Sequence, residues 1–206
     1  ARTIEREFPG TRTRACVDTA PLLEREWAAR AGLGAVGKNT NLLHPEGGSW
    51  FLLGEVLLTL DLPSDLPLGD LCGECTRCLD ACPTGALTAP FVLDSGRCIS
   101  YWTIEHRGEI PEPVRGELAG WVFGCDICQE VCPWNREVPA SRHPELGTPA
   151  ERAGLDLPGL LASPEETLRQ LLRDTPLLRP GVEGLRRNAR IALEGSGAPG
   201  ASKGPL

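Results

Sequence analysis

The chain has 206 residues, a net charge of −7, 24 Gly and 19 Pro. That suits one or two modest, turn-rich domains and argues against a uniformly basic nucleic-acid binder, although a local basic face is compatible with it. Its longest apolar run, near Trp50 to Leu60, contains Glu55 and is too short to cross a bilayer, so no membrane association is expected. Nine cysteines without a visible secretory segment point to metal in a reducing cytoplasm rather than to disulfides. The chain starts with Ala and contains no Met, as expected of a processed chain or a fragment.

Residues 1–17 are polar and basic, with a short strand expected from Arg14 to Val17. Cys16 reads there as a small buried hydrophobe. Asp18-Thr19-Ala20-Pro21 reads as a helix start, with Asp18 or Thr19 accepting from first-turn amides and Pro21 tolerated in the first turn. Leu22, Leu23, Trp27, Ala28 and Ala31 continue as a helical apolar stripe until Gly32. Gly32 to Asn41 is glycine-rich around Lys38 and can bring backbone amides close to an anionic or polar ligand. It is not a phosphate loop, because Asn39 rather than Ser or Thr follows the lysine. Gly47 to Trp50 is a turn, Trp50 to Leu60 reads as a strand, or a strand plus a short helix, in a core, and Asp61 to Asp70 is a linker with Pro63 and Pro67.

Cys72, Cys75, Cys78 and Cys82-Pro83 then follow the spacing C-x2-C-x2-C-x3-C-P. This is the bacterial ferredoxin pattern: three thiolates wrap one cubane and the fourth ligates the other. A second run, Cys125, Cys128 and Cys132-Pro133, matches its last three positions, and Cys98 supplies the missing ligand. The arithmetic assigns Cys72, Cys75, Cys78 and Cys132 to cluster 1 and Cys82, Cys98, Cys125 and Cys128 to cluster 2, leaving Cys16 over. Zinc sites instead pair two CxxC units across a longer spacer. Two [4Fe-4S] clusters imply an electron donor such as a flavodoxin or ferredoxin.

Asp94-Ser95 precedes a helix expected from Cys98 to Glu105, whose Tyr101 and Trp102 would cover the clusters. Pro111 to Trp121 reads as a second short helix, and Trp134 as a cap on the cysteine module. Residues 139–162 look irregular. Ser163 and Glu166 form a capping-box pattern opening a helix to about Arg173. A further helix from near Gly181 places Leu185, Ala189, Ala192 and Leu193 on one face, with Arg186, Arg187 and Arg190 beside them. The pair reads as a helical hairpin, and the arginines by themselves as a solvated face. Gly195 onward has the composition of a disordered tail.

Beyond the cysteines, several segments resemble the epoxyqueuosine reductase family. They are Asp18-Thr19-Ala20-Pro21-Leu22-Leu23-Glu24-Arg25, Gly32-Leu33-Gly34 to Gly37-Lys38-Asn39-Thr40, and Gly48-Ser49-Trp50-Phe51 to Gly54-Glu55. Arg97 to Glu105, Phe123-Gly124-Cys125-Asp126-Ile127-Cys128, and Thr175-Pro176-Leu177 to Gly184-Leu185-Arg186-Arg187-Asn188 complete the set, so the resemblance covers about residues 14–194.

The resemblance implies a cobalamin enzyme that reduces the epoxycyclopentane of epoxyqueuosine in tRNA to the cyclopentene with loss of water, electrons passing through both clusters to cobalt. It implies Asp18 as proton donor beside cobalamin, with Lys38, Asn39, Ser100, Cys125 and Asp126 as further cobalamin contacts. A helix N-terminus lowers a carboxylate's pKa and an apolar corrin face raises it; the second must win for Asp18 to work as an acid. Arg107, Arg179, Arg186, Arg187 and Arg190 are the candidates for a local tRNA phosphate track. The family carries a further segment before the Asp18 motif that supplies half of its cobalamin domain, and its C-terminal helical repeats run longer. A chain without that segment is expected to bind cobalamin poorly and to be inactive alone.

The expected fold is α+β. A remnant of a cobalamin-binding α/β domain spans residues 1–66 and a ferredoxin-like two-cluster module residues 67–140. A linker and helical hairpin leading towards HEAT-like repeats span residues 141–194, and a tail residues 195–206. A monomer is expected. The competing functions are a two-cluster electron carrier, which needs neither the Asp18 segment nor the glycine-rich loop, and a related reductive dehalogenase, which typically carries an export signal.

Overall fold

The computed structural model describes residues 1–18, 20–118, 120–141, 143 and 156–195. It divides the chain into two units, one made of Ala1–Leu79, Ala89–Val92 and Gln129–Pro139. The other comprises Asp80–Thr88, Leu93–Cys128 and the described residues from Ala140 on. The division therefore cuts the stretch 67–140, which the sequence reads as one module. The predicted tail lies outside the described residues apart from Gly195.

In the first unit, helix α1 (Arg2–Glu7) precedes strand β1 (Thr13–Cys16). β1 pairs antiparallel with β4 (Glu55–Leu58), in a register that sets Thr13 opposite Leu58 and Cys16 opposite Glu55. Cys16 is buried, as its type suggests, but Val56 and Leu57 are exposed, so the expected core strand from Trp50 to Leu60 is a short ribbon strand with outward apolar faces.

Helix α2 (Glu24–Arg30) starts later than Asp18, and no side chain caps it. Asp18 adopts φ 54°, a left-handed bend that asparagine and aspartate tolerate and a helix cannot continue through. Of the predicted stripe only Ala28 is buried; Trp27 is 52% and Leu23 72% exposed. The Arg30 guanidinium lies 5.4 Å from the centre of the Trp27 ring and pairs with Glu26 at 2.9 Å.

The glycine-rich loop is the tip of a ribbon, β2 (Ala35–Val36) against β3 (Leu42–Leu43). A Cβ at Gly34 would stand 2.3 Å from the Leu43 carbonyl oxygen, so that glycine is required by close strand approach. The buried residues Ala35, Leu42 and Leu43 anchor it.

The second unit holds the larger core. After the short strands β5 (Leu87–Ala89) and β6 (Val92–Leu93), a 3₁₀ turn over Ser95–Arg97 is capped by Asp94, whose carboxylate accepts from the Gly96 N–H. Next comes the expected helix, over residues 99–105, whose part Tyr101–Glu105 is π-helical. Tyr101 is exposed, and Trp102 donates its indole N–H to the Gly96 carbonyl at 2.8 Å while packing on the cluster of Ile99, Ile110, Leu118, Trp121 and Ile191. Helix α4 (Glu112–Arg115) and a 3₁₀ turn replace the single helix expected to Trp121.

Among the described residues the C-terminal part contains three α-helices rather than a hairpin: α6 (Leu157–Ala162), α7 (Glu165–Leu171) and α8 (Gly181–Gly195). The Asp156 carboxylate caps α6 by accepting from the Gly159 N–H at 2.7 Å, in a stretch predicted to be irregular. Ser163 ends α6 instead of capping α7, whose N-cap is Pro164, so the capping box does not form. Leu160, Leu168, Leu172, Val182, Leu185, Ala189 and Ala192 pack with Val122 into one core, while Leu193 faces outward. Full burial of such a side chain is worth about 1.5–3 kcal/mol, which is why the short helices persist.

Candidate iron–sulfur centres

The first cysteine quartet lies wholly in the first unit. Asp70 organises its loop: its carboxylate accepts from the Cys72 N–H at 2.8 Å and the Gly73 N–H at 3.1 Å. The Lys38 N–H, at the tip of the β2–β3 ribbon, points at the Cys72 sulfur from 3.3 Å, and its ammonium donates to the Gly73 carbonyl at 2.6 Å. Cys78 rides on helix α3 (Arg77–Ala81), and Cys132 follows α5 (Ile127–Glu130) at the start of a 3₁₀ turn. That turn is pinned by Asn135, which donates to Ser49 Oγ at 2.9 Å and to the Gln129 carbonyl at 2.8 Å, and accepts from the Ser49 N–H at 2.7 Å. Trp134 closes the site, its indole N–H on the Leu71 carbonyl at 3.0 Å, as its sequence position suggests. Cys72, Cys75, Cys78 and Cys132 line one cavity of about 240 Å3 together with Lys38, Leu43 and Trp134.

The second quartet lies wholly in the second unit. The Cys82 sulfur accepts from the Ala86 N–H at 3.3 Å and stands 3.6 Å from the Thr84 hydroxyl. Cys98 leaves the Asp94-capped turn, and Cys125 and Cys128 flank the start of α5. Burial, and then the neighbouring Cys98, Asp126 and Cys82, push the Cys125 thiol up to about 11. Burial raises Cys78 and Cys132 in the same way. At Cys82 burial also raises the pKa, but the bonds from Thr84 and from the Leu87, Ala86 and Thr84 amides outweigh it, so that thiol is lowered.

Thiols crowded this way resist ionising together, and a cationic iron core relieves the crowding as the protons leave. No group of three or more His, Cys, Asp or Glu among the described residues suits a single metal ion. Four sulfurs around one zinc stand roughly 3.8 Å apart, given Zn–S of about 2.3 Å, whereas a cubane is a larger guest with more widely spaced ligands. The cysteine-lined cavity and the amide aimed at Cys72 fit such a cluster.

The predicted cobalamin contacts divide between the units. In the first, Asp18 is exposed, while Asn39 is buried and its amide oxygen accepts from the Asn41 N–H at 3.2 Å. Asn39 and Lys38 thus hold the ribbon tip and the Cys72 loop. Opposite Cys16 in the β1–β4 register, one oxygen of Glu55, Oε2, is buried with no hydrogen-bond partner among the described residues. A buried orphaned acceptor fits a cofactor rich in amide donors. In the sequence Glu55 stands in an apolar run and ends the family-like segment Gly48 to Glu55, with no role assigned to it. In the second unit Ser100 is half-buried, its hydroxyl 3.5 Å from the Cys125 carbonyl, and Asp126 is half-buried beside Cys125.

The predicted phosphate track is also revised. Arg187 is 9% exposed, and its guanidinium donates to the carbonyls of Trp102, His106 and Gly108 and to Asn188 Oδ1, which withdraws it from RNA contact. Arg186 pairs with Glu183 at 2.9 Å and donates to the Ser163 carbonyl. Arg179 is exposed and pairs with Glu105 at 2.8 Å. Arg107 is exposed and donates to the Ile104, Glu105 and Arg179 carbonyls. Arg190 is exposed on α8.

Residues 71–135 match the family model described as a 4Fe-4S double cluster binding domain. An epoxyqueuosine reductase of Synechocystis sp. is 45% identical over 193 residues, covering 93% of this chain and 67% of that protein. One from a Synechococcus sp. is 58% identical over 136 residues, covering 66% of this chain and 41% of the relative. One from Xanthomonas campestris pv. campestris is 44% identical over 200 residues, covering 97% and 56%. Among solved structures, an epoxyqueuosine reductase bound to an epoxyqueuosine-modified tRNA-Tyr stem loop superposes with TM-score 0.89 at 36% identity, covering 94% of this chain and 52% of that one. The Bacillus subtilis enzyme, solved with its catalytic aspartate loop swung out of the active site, superposes with TM-score 0.87 at 35% identity, covering 94% and 51%. This chain thus spans about half to two-thirds of the length of most of these relatives. A double-cluster domain set within high identity on both sides of it places this chain in the epoxyqueuosine reductase family.

Proposed function

We propose that this chain is the electron-delivering part of an enzyme that reduces epoxyqueuosine in tRNA to queuosine. The observation that carries the reading is the separation of the eight cysteines into two quartets, one per unit, within a sequence of this family. Cys72, Cys75, Cys78 and Cys132 hold cluster 1; Cys82, Cys98, Cys125 and Cys128 hold cluster 2. Electrons enter from a small redox protein such as a flavodoxin or ferredoxin. The reaction consumes two electrons and two protons, opens the epoxide and releases its oxygen as water. Cobalamin, when bound, supplies the reducing metal centre.

The chain's own residues do the rest. Asp18, exposed at its left-handed bend, delivers a proton to the leaving oxygen; the swung-out catalytic aspartate loop of the Bacillus subtilis relative supports such a mobile acid. Glu55 offers its orphaned oxygen to cofactor amide groups. Ser100 and Asp126, beside Cys125 in the second unit, are further cobalamin contacts. Arg107, Arg179 and Arg190 position the stem loop through phosphates while the splayed modified base enters the pocket.

The test is anaerobic reconstitution, with iron, sulfide and cobalamin, of the chain supplied with the family's segment before the Asp18 motif, followed by turnover on a stem loop carrying epoxyqueuosine, with the product nucleoside read by mass spectrometry. About eight iron atoms per chain and queuosine formation are expected. Electron transfer from reduced clusters to a generic acceptor, with no cobalamin bound and no queuosine formed, would favour the simple electron carrier.

A further inference from the structure

We propose that Asn188, seated by Arg187, is the positioning residue of the second cysteine quartet, so that helix α8 sets where Cys98 stands relative to Cys125. The inference rests on the two-quartet reading above.

Cys98 and Cys125 come from separate stretches of chain, and nothing in their local spacing fixes their mutual distance. The link is Thr103, which is fully buried in the π-helix that follows Cys98. Its hydroxyl donates to the Ile99 carbonyl at 2.8 Å, one residue after Cys98, and accepts from the Gly124 N–H at 3.0 Å, one residue before Cys125. Asn188, 0% exposed, bridges the same two stretches from the other side. Its amide donates to the Thr103 carbonyl at 2.8 Å and to the Val122 carbonyl at 2.8 Å.

The last carbonyls of any helix lack intrahelical partners. In this π-helix α8 supplies them, through Arg187 on Trp102 and Asn188 on Thr103. Arg187 in turn holds the Asn188 oxygen with two N–H groups at 3.0 and 2.9 Å, which fixes the amide so that its nitrogen faces both carbonyls. π-Turns concentrate at functional sites, and this one would spread the chain between Cys98 and the carbonyls that α8 holds. A buried network of this kind confers one geometry only when every member is satisfied.

The experiment is iron counting and EPR-monitored redox titration of the full chain after anaerobic reconstitution. The parent should hold about eight iron atoms and show two midpoints; Cys98→Ser identifies which belongs to cluster 2. Asn188→Asp keeps the shape but turns the amide donor into an acceptor, and Asn188→Ala removes it. Both should shift or abolish the signal that Cys98→Ser abolishes, leaving the other at its parent potential and iron falling towards about four. Thr103→Val should do the same and Thr103→Ser should restore both signals, which decides the matter even if an Asn188 variant fails to fold. Unchanged midpoints in a folded Asn188→Asp or Thr103→Val chain, or equal loss of both clusters, would overturn the positioning role. A parent chain that takes up fewer than two clusters would overturn the proposed function itself, and this inference with it, before any variant is made.

Discussion

Cys72, Cys75 and Cys78 lie within seven residues, and Asp70, close by in sequence, holds the Cys72 loop, with the Lys38 N–H reaching the Cys72 sulfur from further up the chain. Cys82, Cys98 and Cys125 reach their unit from three separate stretches, and the relation of the last two passes through Thr103 and a helix more than 60 residues downstream. Their electrostatics differ too. Cys125 is held protonated to about 11 by burial and by the other cysteines and Asp126, whereas Cys82, with a hydroxyl and amides on its sulfur, is lowered. The difference teaches that one ligand motif can be locally encoded at one end and tertiary at the other, and that its failure modes should differ accordingly.

The largest expected effect lies outside both quartets. With the family's segment before the Asp18 motif supplied, Asp18→Ala should lower epoxyqueuosine turnover by about 10²–10⁴-fold, the usual contribution of a positioned acid, while both cluster signals persist. Single-turnover assays alongside iron analysis check it; parent-like rates would return Asp18 to a purely conformational role at its bend.

Within the comparison, Cys98→Ala should halve the iron, from about eight to about four atoms per chain, and Cys16→Ala should leave it unchanged. Full iron in the Cys98 variant would sever it from cluster 2.

Gly48→Ala probes the first quartet alone. The glycine sits at φ +63°, and an added Cβ would stand 2.2 Å from Asn135 Oδ1, the atom that fixes the turn after Cys132. A loss of about 1–3 kcal/mol is expected, together with faster loss of the cluster 1 signal than of cluster 2 on exposure to a chelator. Equal lability of the two would show that the Asn135 turn does not hold Cys132.

The smallest effect is on RNA. Arg190→Glu should reduce the log–log salt slope of stem-loop binding by about one unit or less, with cluster spectra untouched. Arg187→Glu is a different experiment: it places a charge among buried carbonyls and should unfold the α8 contact rather than report on RNA. Filter binding at several salt concentrations separates the two, and an unchanged slope for Arg190→Glu would confine RNA contact to Arg107 and Arg179.

Much of the site was legible in the chain because ligand spacing and turn chemistry are short-range. The cysteine runs set thiols at the spacing of cluster ligands, and Trp134 falls where a cap is needed. The Cys16 and α8 burial patterns follow from residue type and period. What the sequence left undecided is long-range. The left-handed bend at Asp18 delays α2 to Glu24 and turns Trp27 outward, which no periodicity announces. Ser163 looks like an N-cap and ends α6, because the competing Asp156 cap starts a helix earlier. Arg187 looks like a solvated cation beside Arg186 and Arg190, yet it is buried, because only the folded chain sets three carbonyls around it. The chain by itself thus determined which thiols stand at cluster-ligand spacing and which faces are apolar, since those depend on residue type and spacing. Only the tertiary structure decided which arginine is internal and what joins Cys98 to Cys125, since satisfying a buried carbonyl depends on which donor the fold brings to it.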